Sequence, residues 1–104
     1  MDIKELTHAM HTFVSSQGWY ENNSQKPQTL RNLAISLVLE ASEVLEHFQW
    51  KDVPSNMNDL SDELADVALY LLQISSLAGI DLEQSILAKL ERNYNRKWDR
   101  EDLT

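Results

Sequence analysis

Residues 29–48, TLRNLAISLVLEASEVLEHF, decide the fold. Thr29 supplies a helix N-cap. Behind it Leu30, Leu33, Ala34, Leu37, Val38, Ala41, Val44, Leu45 and Phe48 recur at intervals of three and four, the repeat of a helix with an apolar face. Upstream, Ile3, Leu6, Met10, Phe13 and Val14 keep the same spacing over about Asp2 to Gln17, and Gly18 stands where a helix C-terminus favours glycine. Downstream, Leu60, Leu64, Val67, Ala68, Leu71, Leu72 and Leu77 predict a third helix over roughly Asn56 to Ala78, closed by Gly79. Asp81, with Gln84 three positions on, then opens a fourth helix striped by Leu82, Ile86, Leu87 and Leu90.

The chain has only two Gly and two Pro, all between these segments, which is the punctuation of an all-α bundle of four helices. No segment is read as a strand. Residues 51–55 make a short connection, so the helices on either side are expected to be antiparallel neighbours. Residues 19–28 form a polar loop long enough to suggest a use beyond connection. The tail, residues 99–104, is mostly charged and expected to fray.

At 104 residues with 42% hydrophobic content the chain can build one modest core, so residues 1–104 are read as a single domain for which an oligomer would add burial. Seventeen acidic against nine basic side chains give a formal charge of −8, which disfavours direct binding to nucleic acid or to an anionic membrane. Cysteine is absent, removing disulfides, thiolate nucleophiles and cysteine zinc sites. With no signal-peptide core and no long apolar run, a cytoplasmic location is expected.

The chemistry is carried by acids placed beside apolar stripes. Glu40 and Glu43 are three apart on one helix face, and Glu63 and Asp66 repeat the arrangement on the next helix. A helix end, a turn and the start of an antiparallel partner fit between the two pairs, so all four carboxylates can converge. Together near an apolar seam they would raise one another's pKa unless a cation neutralised them. Oxygen ligands select a hard ion such as Mg²⁺, which shares its shell with water and substrate phosphates. A di-iron carboxylate bundle needs Glu-x-x-His pairs, and His47, four after Glu43, does not make one. Glu46 is read as solvent-facing, and His8 and His11 as surface residues rather than a transition-metal pair.

Leu39 to Trp50, LEASEVLEHFQW, followed by Asp62 to Tyr70, DELADVALY, resembles the MazG-like all-α nucleotide pyrophosphohydrolases, whose signature is Glu-x-x-Glu, a variable gap and Glu-x-x-Asp. The resemblance covers about Phe13 to Lys97 and is nearest the dCTP-pyrophosphatase branch. It implies that Glu40, Glu43, Glu63 and Asp66 are the catalytic metal ligands. Mg²⁺, with Mn²⁺ as a substitute, would hold a (deoxy)nucleoside triphosphate cleaved to monophosphate and pyrophosphate in nucleotide-pool cleaning. It further implies that Trp19, Trp50, Tyr70, Lys89 and Asn93 contact the nucleotide, and that the chains assemble as a homodimer or a dimer of dimers. Arg92, Arg96 and Lys97 are read instead as complements of a helix C-terminus, and Trp98 as packing. Two features depart from the branch: Met10 stands where relatives carry a His, with His11 one position off, and the loop after Trp19 is longer and lacks His. The base preference therefore does not carry over. The competing readings are a catalytically idle helical interaction module and a nucleotide-binding sensor.

Overall fold

The structure, a computed structural model, describes residues 1–96; Lys97, Trp98 and residues 99–104 lie outside the described residues. Four helices follow in order: α1 (Ile3–Ser16), α2 (Leu30–Glu46), α3 (Met57–Leu77) and α4 (Leu82–Asn95). No strand occurs among the described residues. Both ends of α1, α2 and α3, and the start of α4, fall within two residues of the positions expected from the periodicity.

The helix ends are fixed by local chemistry. Asp2 and Glu5 form a capping box at the start of α1, and the side chains of Thr29, Asn56 and Asp81 accept backbone N–H groups at the starts of α2, α3 and α4. α1 and α3 both stop on a glycine with positive φ, Gly18 at +74° and Gly79 at +72°. At α1 the N–H of Gly18 bonds Ser15 O and that of Trp19 bonds Val14 O; at α3 Gly79 bonds Ser76 O and Ile80 bonds Ser75 O. This paired closure demands the left-handed conformation that glycine adopts without penalty. At α1 it also turns Trp19 back over the helix it ends.

α3 is the centre of the molecule. α2 runs antiparallel to it, as the contacts Gln28–Gln73 and His47–Glu63 at opposite ends of the pair require. α1 crosses the other flank of α3, where Met10, Val14 and Leu72 form a buried cluster against which Ile3, Trp19, Tyr20 and Leu82 pack. The fourth helix departs from the bundle expectation: after Gly79 the chain bends by 102°, and α4 buries none of its own residues.

The apolar stripe of α2 departs too. Leu33 is buried, but Val38 is 66% and Leu45 68% exposed. Periodicity identified the face correctly, yet within one chain α3 covers only part of it. Among the described residues no single helix is long and apolar enough to cross a membrane.

Candidate active site

The helix pair α2–α3 and the loop after α1 enclose a cleft of about 790 Å³, a volume in the range of small-molecule sites. Its inner wall is apolar, formed by Met10, Phe13 and Val14 of α1 with Leu33 of α2. The loop closes one side with Trp19, Lys26 and Gln28, so residues 19–28 do more than connect. Trp19 is held from behind by the edge of Phe13, with ring centroids 5.7 Å apart at 87°, and the Lys26 ammonium sits 5.1 Å from its ring centroid. An aromatic face fixed in this way, beside a cation, is a platform for a planar ligand.

At the other end the cleft becomes acidic. Glu40 of α2 and Asp66 of α3 both line it, and Tyr70, one turn beyond Asp66, continues the same face. One oxygen of Glu40, Oε2, is buried and has no hydrogen-bond partner. Burial pushes the Glu40 carboxyl above its ordinary pKa; contact with the Glu43 carboxyl and the charges of Glu43, Asp66 and Glu63 push it the same way. The four acids named by their spacing are therefore brought into one electrostatic neighbourhood.

They are not, however, closed into a ready cage. Among the described residues no three acid or imidazole side chains stand close enough together to hold a metal ion. Glu43 faces solvent, and Glu63 is engaged by the Nε2–H of His47, which lies just past the end of α2. A divalent cation nevertheless fits the chemistry of the set. Hard oxygen donors crowd one another here, and a buried carboxylate oxygen without a partner is the feature such an ion satisfies.

The remaining sequence candidates are more dispersed. Trp50 is 88% exposed in the α2–α3 connection, and Lys89 and Asn93 lie on α4; none of the three lines the cleft. Sequence reasoning missed His47 as the partner of Glu63. The signal was available, because the register that sets Glu43 near Glu63 carries residue 47, one turn on, to the start of α3. Lys26 was missed as well, although it is the single basic residue among the described residues that line the cleft.

His11 corrects its expected role. It is half-buried, not a surface residue: Nδ1 lies 2.6 Å from the Tyr20 hydroxyl and Nε2 2.7 Å from Ser76 Oγ. Burial, then the charge of His8, lower its pKa.

A profile of the MazG-like family matches residues 35–103, a span that holds both acidic pairs. The chain belongs to the MazG-like family. It is 32% identical to dCTP pyrophosphatase 1 of Mus musculus and equally to the Homo sapiens protein, in each case over 91% of this chain and 56% of that protein. The chain thus spans a little over half the length of these relatives. Among solved structures, a pyrophosphatase from Archaeoglobus fulgidus superposes with a TM-score of 0.74 at 31% identity, covering 88% of each chain. Family membership extends to α4 and to the acids of α2 and α3 alike.

Proposed function

We propose that this chain is one MazG-like domain that hydrolyses (deoxy)nucleoside triphosphates to the monophosphate and pyrophosphate, with Mg²⁺ as its metal and Mn²⁺ able to replace it. The observation that carries the reading is the unpartnered, buried oxygen of Glu40 beside Asp66 at the end of a cleft that begins at Trp19. One end of the cleft suits a planar base and the other a cation-bridged phosphate. The pyrophosphatase relatives supply the reaction class.

In this reading Glu40, Glu43, Glu63 and Asp66 hold the metal, which when bound offsets phosphate charge and lowers the pKa of a bound water. His47, by engaging Glu63, orients one of those carboxylates, as a donor behind a metal ligand does. Trp19 stacks the base, Tyr70 flanks the sugar and phosphates, and Lys26 leaves the Trp19 face to meet substrate charge. The apolar lining of Met10, Phe13 and Val14 keeps the base end dry.

We further infer that a second copy of the chain completes the site. Only Met10, Val14, Leu33 and Leu72 are buried hydrophobics among the described residues, while Val38, Leu39 and Leu45 on α2 and Leu87 and Leu90 on α4 stand in water. A face of that kind at the active-site helix favours a homodimer, or a dimer of dimers, in which Trp50, Lys89 and Asn93 reach a neighbour's nucleotide. The high acidic charge argues against nucleic acid as the partner, and a role in cleaning the cytoplasmic nucleotide pool fits these properties.

The test is pyrophosphate release from a panel of canonical and modified NTPs and dNTPs, with Mg²⁺, with Mn²⁺ and with EDTA. Metal-dependent release of pyrophosphate with the matching monophosphate is expected. Silence from folded protein across the panel would overturn the reading. A Mg²⁺-dependent melting shift in that silent protein would point to a nucleotide sensor, and its absence to an interaction module.

A further inference from the structure

Between α1, the loop and α3 runs a chain of hydrogen bonds that fixes which way round its two glutamine amides stand. The Gln28 side-chain amide donates from Nε2 to the backbone carbonyl of Lys26 at 2.6 Å, and a carbonyl can only accept. Gln28 must therefore turn its Oε1 toward Gln73, whose Nε2 donates to it at 2.8 Å. The second hydrogen of the same Gln73 nitrogen goes to the Tyr20 hydroxyl at 3.2 Å. The Tyr20 hydroxyl in turn lies 2.6 Å from His11 Nδ1, and His11 Nε2 lies 2.7 Å from Ser76 Oγ. The Lys26 carbonyl thus fixes the polarity of both glutamines.

The consequence falls on Gln73. It lines the cleft, it is only 3% exposed, and both of its N–H groups are committed to the protein. Its carbonyl oxygen is the one polar atom it has left for a ligand. An amide in water can turn over and donate or accept as the ligand asks; here rotation would set the Gln73 oxygen against the Gln28 oxygen, two acceptors with no hydrogen between them. The wall is therefore an acceptor and stays one.

We propose that Gln73 is a specificity-determining residue that reads the base through its carbonyl oxygen and favours a base bearing an exocyclic amino group over the oxo analogue of the same ring. Where cytosine or adenine carries an amino group, uracil or hypoxanthine carries an oxygen, which would face Gln73 acceptor to acceptor. Gln28 is a positioning residue that holds the Gln73 amide one way round, and Tyr20 supports it by accepting the second amide hydrogen. The proposal rests on the nucleotide reading above and adds to it the residue and the edge of the base that it reads.

The experiment compares kcat/KM within two pairs, dCTP against dUTP and dATP against dITP, for the full chain and for Gln73→Met, Gln28→Ala and Tyr20→Phe. The parent should prefer the amino member by about tenfold or more in the pair it hydrolyses, the scale of one buried hydrogen bond kept or lost. Gln73→Met should bring that ratio to about one, and Gln28→Ala and Tyr20→Phe should lower it part of the way, chiefly through KM of the amino substrate. A purely structural role would depress both members of a pair equally and leave the ratio intact. A parent ratio near one, or a ratio unchanged in Gln73→Met, overturns the proposal; if Gln73→Met does not fold, an unchanged ratio in Gln28→Ala does so. If the parent releases pyrophosphate from no nucleotide, the hydrolytic reading fails on its own, and calorimetric titration with CMP against UMP and AMP against IMP reads the same ratio. Equal affinity or no binding there also overturns the base reading.

Discussion

The two ends of the cleft treat polar groups in opposite ways. At the α1 end, Tyr20, His11, Gln73 and Gln28 bond one another, and of the Gln73 amide only the carbonyl oxygen is left for a ligand. At the α2–α3 end, Glu40 keeps a buried oxygen with no partner while three further carboxylates raise the cost of its charge. A protein interior normally does not leave such a group unmatched. The first end is built to hold a shape and present one fixed acceptor; the second is built to be completed by something that arrives.

That contrast is broken most severely at the unsatisfied end. Asp66→Asn keeps the volume and removes one carboxylate from the cleft, so metal-dependent turnover should fall by at least about 100-fold, measured as pyrophosphate release under saturating Mg²⁺. Activity within a few-fold of the parent would mean that the acids are a solvated charged face after all. His47→Ala, which frees Glu63, is the milder version, with a loss of roughly 10-fold or more recoverable in part by raising the metal concentration.

The satisfied end should fail by unfolding. Leu72 sits at the centre of the buried cluster with Met10 and Val14, and Leu72→Ala should cost about 2–3 kcal/mol by thermal or urea unfolding. Trp19→Ala strikes the base end of the cleft without replacing any of its buried cluster residues. It removes the stacking platform but not the metal ligands, so KM should rise by roughly tenfold while kcat moves much less, as expected for the loss of one base stack. A fall in kcat with KM unchanged would place Trp19 outside the nucleotide site.

How far these regions could be read from residues alone follows the same division. Helix ends are local events: Asp2 with Glu5, Thr29, Asn56, Asp81 and the two positive-φ glycines each act within a few residues, so the boundaries were legible. The acids were legible because helical spacing puts Glu40 beside Glu43 and Glu63 beside Asp66 whatever the tertiary structure does. The hydrogen-bond chain was not. Gln73 and Gln28 are 45 residues apart and His11 and Ser76 are 65 apart, and nothing in a glutamine or a tyrosine announces which partner it will find. The exposed stripe of α2 illustrates a third case, since periodicity tells which face is apolar and says nothing of what covers it.

The finest test uses pH in metal-free protein, because the two ends should respond with opposite sign. Glu40 has its pKa raised in the folded chain, so its contribution to stability is present below the unfolded value of 4.5 and is lost as pH rises through the folded one. His11 has its pKa lowered, so its contribution is present above the unfolded value of 6.5 and is lost as pH falls toward the folded one. Acidification from pH 7 toward pH 5 thus relieves the acidic end while it strains the hydrogen-bonded end. In EDTA, Glu40→Gln should raise the melting temperature at pH 7 by a few degrees and make it fall more steeply on acidification. His11→Gln should lower it at pH 7 and flatten the same slope. Mg²⁺ should erase the advantage of Glu40→Gln, since the ion stabilises the parent's carboxylate and finds one ligand fewer in the variant. Slopes that shift in the same direction for both substitutions would show that the two ends are not the distinct environments their hydrogen bonding implies.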